Sequence, residues 1–223
     1  LREKGKFFPY KDTHFVYNMS MVVKNLDSQL ERLRKIIATQ NGVILTSDLA
    51  RANIARTYLA ILEQNSEIER VSRGVYRSAV SLDDDLLHFQ ARYQASVFSH
   101  ETALFLHDLT DRTPLFHSIT LPSGYHSVSL RQSDHKVFYV NRQLFDLGVL
   151  PTNTPHGNEV KATGLERTIV DVLRSRAKMD IQFIYEALRR YVRRKARNLA
   201  VLDDYAAQFH VKKIVRDYIE VLL

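Results

Sequence analysis

Residues 42–77 read GVILTSDLARANIARTYLAILEQNSEIERVSRGVYR, and this stretch decides the fold of the first part of the chain. In order, its segments predict a short strand, two helices and the two arms of a hairpin: 43–45, 46–52, 55–64, 68–71 and 75–77. Thr46 or Ser47 is suited to cap the first of these helices, and Asn53 marks the turn between the helices. Gly74 suits the tip of the hairpin because it adopts turn conformations at little cost.

A further helix is predicted before this stretch. Leu26, Leu30, Leu33 and Ile37 recur at the spacing of one helical face, and Asn41-Gly42 is a stop signal. Three helices followed by a two-stranded hairpin is the order of a winged helix-turn-helix, in which the third helix enters the DNA major groove. The sequence therefore predicts a DNA-binding domain over residues 21–80, although winged helices also serve as protein-interaction modules.

The predicted recognition helix, 55–64, has a buried face that includes Tyr58 and an outward face that carries polar side chains. Arg56 and Thr57 lie in its first turn, where side chains reach base edges, and an arginine fork fits guanine O6 and N7. Gln64 suits adenine, while Arg73 at the hairpin tip reaches phosphate or the minor groove. The predicted DNA-binding residues are Ser47, Arg51, Arg56, Thr57, Ala60, Gln64, Arg73 and Arg77.

Residues 81–223 predict a larger α+β domain with helices around a small sheet, so the fold class is α+β for the whole chain. Helices are expected over 86–94 and from Ser99, and a strand over 118–122. Residues 128–130 and 137–140 are expected to pair as strands, 147–150 to join them, and 151–158 to form a loop. Thr163-Gly164-Leu165-Glu166 reads as a capping box. Asp180 is expected to cap a helix to about Asn198, and residues 202–223 to form the last helix.

The basic charge is concentrated near the C-terminus. The net charge is +7, and residues 174–223 hold 12 Lys and Arg against 6 acids, whereas residues 1–173 are nearly balanced. On the predicted helix 180–198 the arginines share one side, which predicts a basic surface for DNA or another polyanion, such as RNA or an acidic protein. These residues are Arg189, Arg190, Arg193, Arg194 and Arg197.

Several classes of protein are disfavoured by what the sequence lacks. There is no cysteine, no glycine-rich phosphate loop and no nucleophile motif. His100 and His107 lie seven residues apart, which does not match a zinc-protease signature. We therefore predict no catalytic residue, metal or cofactor.

No apolar run is long enough to span a membrane, and a cytoplasmic protein is expected. Residues 1–20 are interpreted as a tag or an upstream extension.

An ordered set of segments resembles the AbiEi antitoxin family of bacterial abortive-infection systems. Ile68 to Tyr76 resembles the family's wing, and three later segments match in the same order: Ser99–Leu104 with Leu109-Thr110 and Ile119–Pro122, then Thr163–Asp171, then Glu186–Leu188. The likeness covers about residues 21–223. The wing alone is shared by many winged helices, whereas the ordered combination is fairly specific.

The resemblance implies an antitoxin of a type IV toxin–antitoxin system that provides phage resistance. Its winged helix would repress its own operon through double-stranded operator DNA, with inverted repeats expected. Its second domain would neutralise a nucleotidyltransferase-like toxin without forming a stable complex, and a monomer is expected in solution. Two alternatives remain open at this point: a nuclease-type enzyme delivered by the winged helix, and a transcriptional regulator whose second domain senses a ligand.

Overall fold

The fold is α+β, as the sequence predicts. The computed structural model describes residues 13–81 and 84–222, with backbone alone for 13–23. The chain divides into two compact units, Leu1–Ser81 and Leu82–Leu223, called here the N-terminal and C-terminal units. The expected extension lies outside the described residues as far as residue 12, and residues 13–20 are helical.

The N-terminal unit contains three helices and one antiparallel sheet. Its elements are α1 (Thr13–Thr39), β1 (Val43–Leu45), α2 (Thr46–Arg51), α3 (Thr57–Gln64), β2 (Ile68–Ser72) and β3 (Val75–Ser78). The strands pair in the order β1-β3-β2. This order of elements is the one expected from the sequence, except that α1 begins well before Leu26. The cap of α2 differs too: Leu45 holds the cap position, and its backbone N–H donates to Asp48 Oδ2 over 2.9 Å.

One hydrophobic core holds the N-terminal unit together. The predicted apolar face of α1 is buried through Leu30, Leu33 and Ile37, and α3 contributes Leu59 and Leu62 to the same cluster. Burying a side chain of this size contributes about 1.5–3 kcal/mol, so the packing fixes the rotation of α3 about its axis. The opposite face of α3 is left to solvent.

The C-terminal unit builds helices around a five-stranded mixed sheet. Its strands are β4 (Val97–Phe98), β5 (Ser118–Pro122), β6 (Lys136–Val140), β7 (Val149–Asn153) and β8 (Glu159–Thr163). Its helices are α4 (Asp85–Arg92), α5 (His100–Leu106), α6 (Val128–Arg131), α7 (Arg142–Phe145), α8 (Leu165–Arg174), α9 (Ile181–Arg193), α10 (Leu199–Gln208) and α11 (Lys212–Glu220). The strand order is β6-β5-β4-β8-β7, with parallel pairs β5–β6 and β4–β8.

Two hydrophobic clusters stabilise this unit. One packs α4, through Leu86 and Phe89, against sheet residues that include Phe98 and Ile119. The larger one joins α5 to the four C-terminal helices and is centred on residues such as Ile169. The helices at both ends of the domain and the sheet between them are as predicted.

The predicted strand at 128–130 is wrong, since Val128–Arg131 is a short helix. The Ser127 hydroxyl accepts from the Leu130 backbone N–H over 3.4 Å, a local bond that favours a helical turn over an extended segment. The predicted loop 151–158 is also partly wrong, because β7 continues through Pro151 and pairs with β8 alone. Proline is tolerated there because β7 is an edge strand.

The predicted capping box at Thr163 is absent. Thr163 is the last residue of β8, its hydroxyl lies 2.8 Å from that of Thr168, and the Glu166 carboxylate instead accepts from the Asn198 N–H over 2.8 Å. The helix capped by Asp180 is shorter than predicted, since Arg194 has extended backbone. The last predicted helix is two helices, interrupted by His210 at a positive φ of 57°.

Candidate nucleic-acid interface

Helix α3 has a polar face that does not pack against the core. The turn before it is made by Asn53 in the left-handed region, with φ of 53°, and is anchored by the buried Ile54. Tyr58 is partly buried and packs against the core, on the side of α3 where the sequence places it. The predicted contacts on α3 and its N-cap are all exposed, namely Arg56, Thr57, Ala60 and Gln64.

A groove of about 500 Å³ lies between α3 and the β2–β3 hairpin. Arg56, Ala60 and Glu63 line its helix side, whereas Arg73 and Gly74 line its hairpin side. Among the residues described by the structure, neither Arg56 nor Arg73 has an acidic partner. Guanidinium groups left unpaired in one groove are suited to phosphate oxygens and to guanine.

The hairpin tip is tied to the start of α2. The Thr46 backbone N–H donates to the Gly74 carbonyl over 2.9 Å. Gly74 has φ of +80°, and a Cβ there would lie 2.9 Å from the Thr46 hydroxyl oxygen. Glycine is therefore required at this position. The hydrogen bond between Thr46 and Gly74 keeps the neighbouring Arg73 at the mouth of the groove.

Two residues of the groove were missed by the sequence reasoning. Arg70 of β2 and Tyr76 of β3 are register partners, so their side chains share one face of the hairpin, and both line the groove. Arg70 is exposed, and its Nε donates only to its own strand, at the Ser72 carbonyl, over 3.4 Å. Strand alternation is the signal that identifies it, because Ile68, two residues earlier, is buried on the same face.

The remaining predicted contacts lie outside this groove. Arg77 pairs with Glu69 across the hairpin, one residue along from the Arg70–Tyr76 pair and therefore on the opposite face. The structure does not bring Arg77 to the groove, because side chains alternate along a strand. Ser47 and Arg51 are exposed on α2, and the Arg51 guanidinium pairs with Asp48. Contact of Ser47 and Arg51 with DNA stays a prediction.

The predicted basic face of the C-terminal unit is smaller than expected. Helix α9 ends at Arg193, so Arg194 and Arg197 do not lie on it. Arg190 forms ion pairs with Asp111 and Glu186. The prediction that all five arginines share one basic face is therefore wrong, because α9 ends before two of them and because Asp111, distant in sequence, and Glu186, one helical turn away, pair with Arg190.

Two of the five arginines are exposed and unpaired among the described residues, as a basic surface requires. Arg189 and Arg193 are exposed on α9 and have no acidic partner among the described residues. By contrast, Arg194 donates to the His107 carbonyl and lies 3.7 Å from Asp108, and Arg197 donates to the Arg194 carbonyl over 3.0 Å. A polyanion contact at this surface stays a prediction and rests on Arg189 and Arg193.

The histidines considered as metal ligands are built into the core of the C-terminal unit. His100 is fully buried and stacks on Phe138 with ring centroids 3.5 Å apart. Its Nδ1 lies 2.9 Å from the Ser99 hydroxyl and its Nε2 lies 3.0 Å from the Ser175 hydroxyl. His107 Nε2 lies 2.7 Å from the Thr163 carbonyl oxygen, to which it donates. Both rings are thus committed to hydrogen bonds inside the fold.

These buried histidines should make the C-terminal unit less stable in mild acid. Burial lowers the pKa of His100 well below its usual value, assisted by Arg174 and Arg167, and burial also lowers the pKa of His107. The unfolded chain therefore binds more protons below about pH 6.5, and the free energy of unfolding should fall as pH drops through that value. Burial raises the pKa of Asp171, which opposes the trend.

Urea unfolding of the full chain at pH 7.5 and pH 5.5, followed by circular dichroism, measures this effect. We expect a lower midpoint at pH 5.5. His107→Gln keeps a donor for the Thr163 carbonyl and removes the titration of His107 alone, so the difference between the two midpoints should become smaller and should persist through His100. His156→Gln, at an exposed loop histidine, should leave the dependence unchanged. Equal midpoints at both pH values would contradict the prediction.

The comparisons with known proteins bear on the same region as the groove. Residues 31–79 match the model of the AbiEi antitoxin transcriptional regulators. The predicted resemblance to this family is thereby confirmed for residues 31–79. The matched segment runs from α1 to the end of the hairpin and contains all the residues that line the groove between α3 and the hairpin. The AbiEi antitoxins are regulators of transcription in toxin–antitoxin systems, not an enzyme family.

The fold has a counterpart among solved structures. The chain is similar to the crystal structure of the RV2827C protein from Mycobacterium tuberculosis, with a TM-score of 0.55 and 14% sequence identity. The likeness covers 86% of this chain and 76% of that chain, and at this identity it concerns the fold alone. No curated protein matches the sequence. None of the described helices combines the length and hydropathy needed to cross a bilayer.

Proposed function

We propose that this protein is an AbiEi-type antitoxin that binds operator DNA through its N-terminal unit and represses its own operon. The observation that carries the proposal is the groove between α3 and the hairpin, where Arg56, Arg70 and Arg73 converge. The order of elements supports docking of α3 in the major groove, with the hairpin as a wing beside it. Inverted-repeat operator DNA, bound by a protein that is monomeric in solution, is part of the proposal.

The C-terminal unit is proposed to act in neutralisation. We infer from the family that it counters a nucleotidyltransferase-like toxin in the cytoplasm without forming a stable complex, as in type IV systems that confer phage resistance by abortive infection. Arg189 and Arg193 are the candidate polyanion contacts of this unit. Rescue of growth when the chain is co-expressed with a neighbouring toxin gene tests this part. Metal-dependent cleavage of plasmid or tRNA would instead support the nuclease-type alternative.

The DNA-binding part is tested by comparing Arg56→Ala with Arg73→Ala. Arg56 lies at the N-cap of α3, where base edges are read, so its loss should weaken operator binding by about 1–3 kcal/mol and relax preference at one base pair. Arg73, at the hairpin tip, should contribute mainly phosphate contact. Its loss should weaken operator and scrambled DNA alike and reduce the salt slope by about 1.

Fluorescence anisotropy titrations on operator and scrambled duplexes at several salt concentrations measure both effects. Lys35→Ala is a matched control, since Lys35 is an exposed cation of α1 that does not line the groove. If Arg56→Ala binds both duplexes as the unsubstituted protein does, the assignment of α3 as the recognition helix is wrong.

A further inference from the structure

Glu63 is an acid in a groove that is otherwise suited to a polyanion. It is exposed on the last turn of α3 and lines the groove together with Arg56, Arg70 and Arg73. Within the part of the chain that the structure describes, its carboxylate has no ion pair or hydrogen bond with any of them. It therefore does not neutralise the arginines of the groove.

The position of Glu63 is also unfavourable for the helix itself. A negative charge near a helix C-terminus opposes the helix dipole, and α3 ends at Gln64. Glu67, four residues later, carries a second negative charge, but its carboxylate accepts from Arg34 over 2.8 Å, a partner that Glu63 does not have. Among the described residues the fold gains no stabilising contact from the Glu63 carboxylate, which leaves its acceptor oxygens available to a ligand in the groove.

DNA offers this carboxylate one well-matched partner in the major groove. Cytosine presents the N4 amino donor there, whereas guanine presents two acceptors and adenine sets its N6 donor beside the N7 acceptor. A carboxylate accepts hydrogen bonds and donates none, so it is attracted by cytosine and repelled by guanine and by phosphate.

We propose that Glu63 determines specificity by accepting a hydrogen bond from cytosine N4, an inference that rests on the proposed operator binding. Arg56, seven residues earlier, lies on the same side of the groove and suits guanine. Ala60 stands between them with a methyl group that suits a thymine methyl. Seven residues span about 10.5 Å along a helix, or about three base-pair steps. The operator core therefore pairs a guanine contact with a cytosine contact about three steps away.

The experiment measures base preference at each operator position by competition binding with singly substituted duplexes. The proteins are the full chain, Glu63→Gln, Arg56→Ala and Glu31→Gln. Glu31 is an exposed carboxylate of α1 outside the groove, so Glu31→Gln matches the change in charge. Circular dichroism checks that each variant is folded.

We expect the unsubstituted chain to prefer cytosine at one position by roughly 5- to 100-fold. Glu63→Gln should lose most of that preference and bind scrambled DNA equally or more tightly, because a charge that repels phosphate is gone. Glu31→Gln should keep the full preference. The position relaxed by Arg56→Ala should lie about three steps from the position relaxed by Glu63→Gln.

Two results overturn the proposal in distinguishable ways. If the chain discriminates operator from scrambled DNA but Glu63→Gln keeps the same preference at every position, Glu63 is not a specificity determinant and the proposed function stands. If the unsubstituted chain shows no operator preference at all, both the proposed function and this inference are wrong.

Discussion

Replacing Arg167 by alanine should destabilise the C-terminal unit by about 3–5 kcal/mol. The Arg167 side chain is fully buried on α8, and its Nε donates to Asp171 Oδ2 over 3.0 Å. Its Nη1 donates to the carbonyls of Leu144 and Leu147, and its guanidinium lies 4.1 Å from the Phe209 ring centroid. One side chain thus joins α8 to α7, to the segment that follows α7 and to the end of α10.

The cost is large because the alanine variant leaves the buried Asp171 carboxylate with only the longer Arg174 ion pair, at 3.8 Å, and leaves two carbonyls without the guanidinium that donates to them. Burial already lowers the pKa of Arg167 and raises the pKa of Asp171, so each ion is held in its charged form by the other. Removing one partner of a buried pair costs much more than replacing both by apolar residues. The double variant Arg167→Met/Asp171→Leu should therefore be more stable than Arg167→Ala.

Urea unfolding of the full chain, followed by circular dichroism, gives the comparison. Arg189→Ala is the matched control, because Arg189 is exposed and unpaired among the described residues. Its midpoint should stay close to that of the unsubstituted chain. If Arg167→Ala unfolds at the same midpoint as Arg189→Ala, the buried pair does not stabilise the unit as described.

The double reversal Arg56→Glu/Arg73→Glu should lower operator affinity by at least about 100-fold. Loss of one arginine contact to DNA costs about 1–3 kcal/mol, and a carboxylate in its place adds repulsion from phosphate. The two residues line opposite sides of one groove, so both should face the same duplex. Because only Arg73 of the two is expected to contact phosphate, the plot of log affinity against log salt should become shallower by about 1.

The control is Lys24→Glu/Lys35→Glu, which changes the net charge by the same amount at two exposed residues of α1. Anisotropy titrations at several salt concentrations compare the two double variants with the unsubstituted chain. A long-range charge effect would weaken both variants equally, and that outcome would count against the groove as the DNA-binding surface. Only a much larger loss for the Arg56/Arg73 variant supports it.

Short-range sequence patterns determined most of the secondary structure and burial of the N-terminal unit. The spacing of Leu30, Leu33 and Ile37 placed one face of α1 in the core, and the outward residues of α3 are exposed as expected. These features are predictable because helical periodicity and turn residues act over a few positions. The same periodicity assigned Arg56 and Ala60 to the side of α3 that lines the groove.

Contacts between segments distant in sequence decided the rest. Arg70 lines the groove because the pairing of β2 with β3 places it opposite Tyr76. Arg190 forms an ion pair with Asp111, a residue 79 positions away. Sequence alone thus determined which residues face inward or outward on a helix, because that depends on local periodicity. Only the tertiary structure decided which outward charges stay unpaired, because ion pairing depends on which segments the fold brings together.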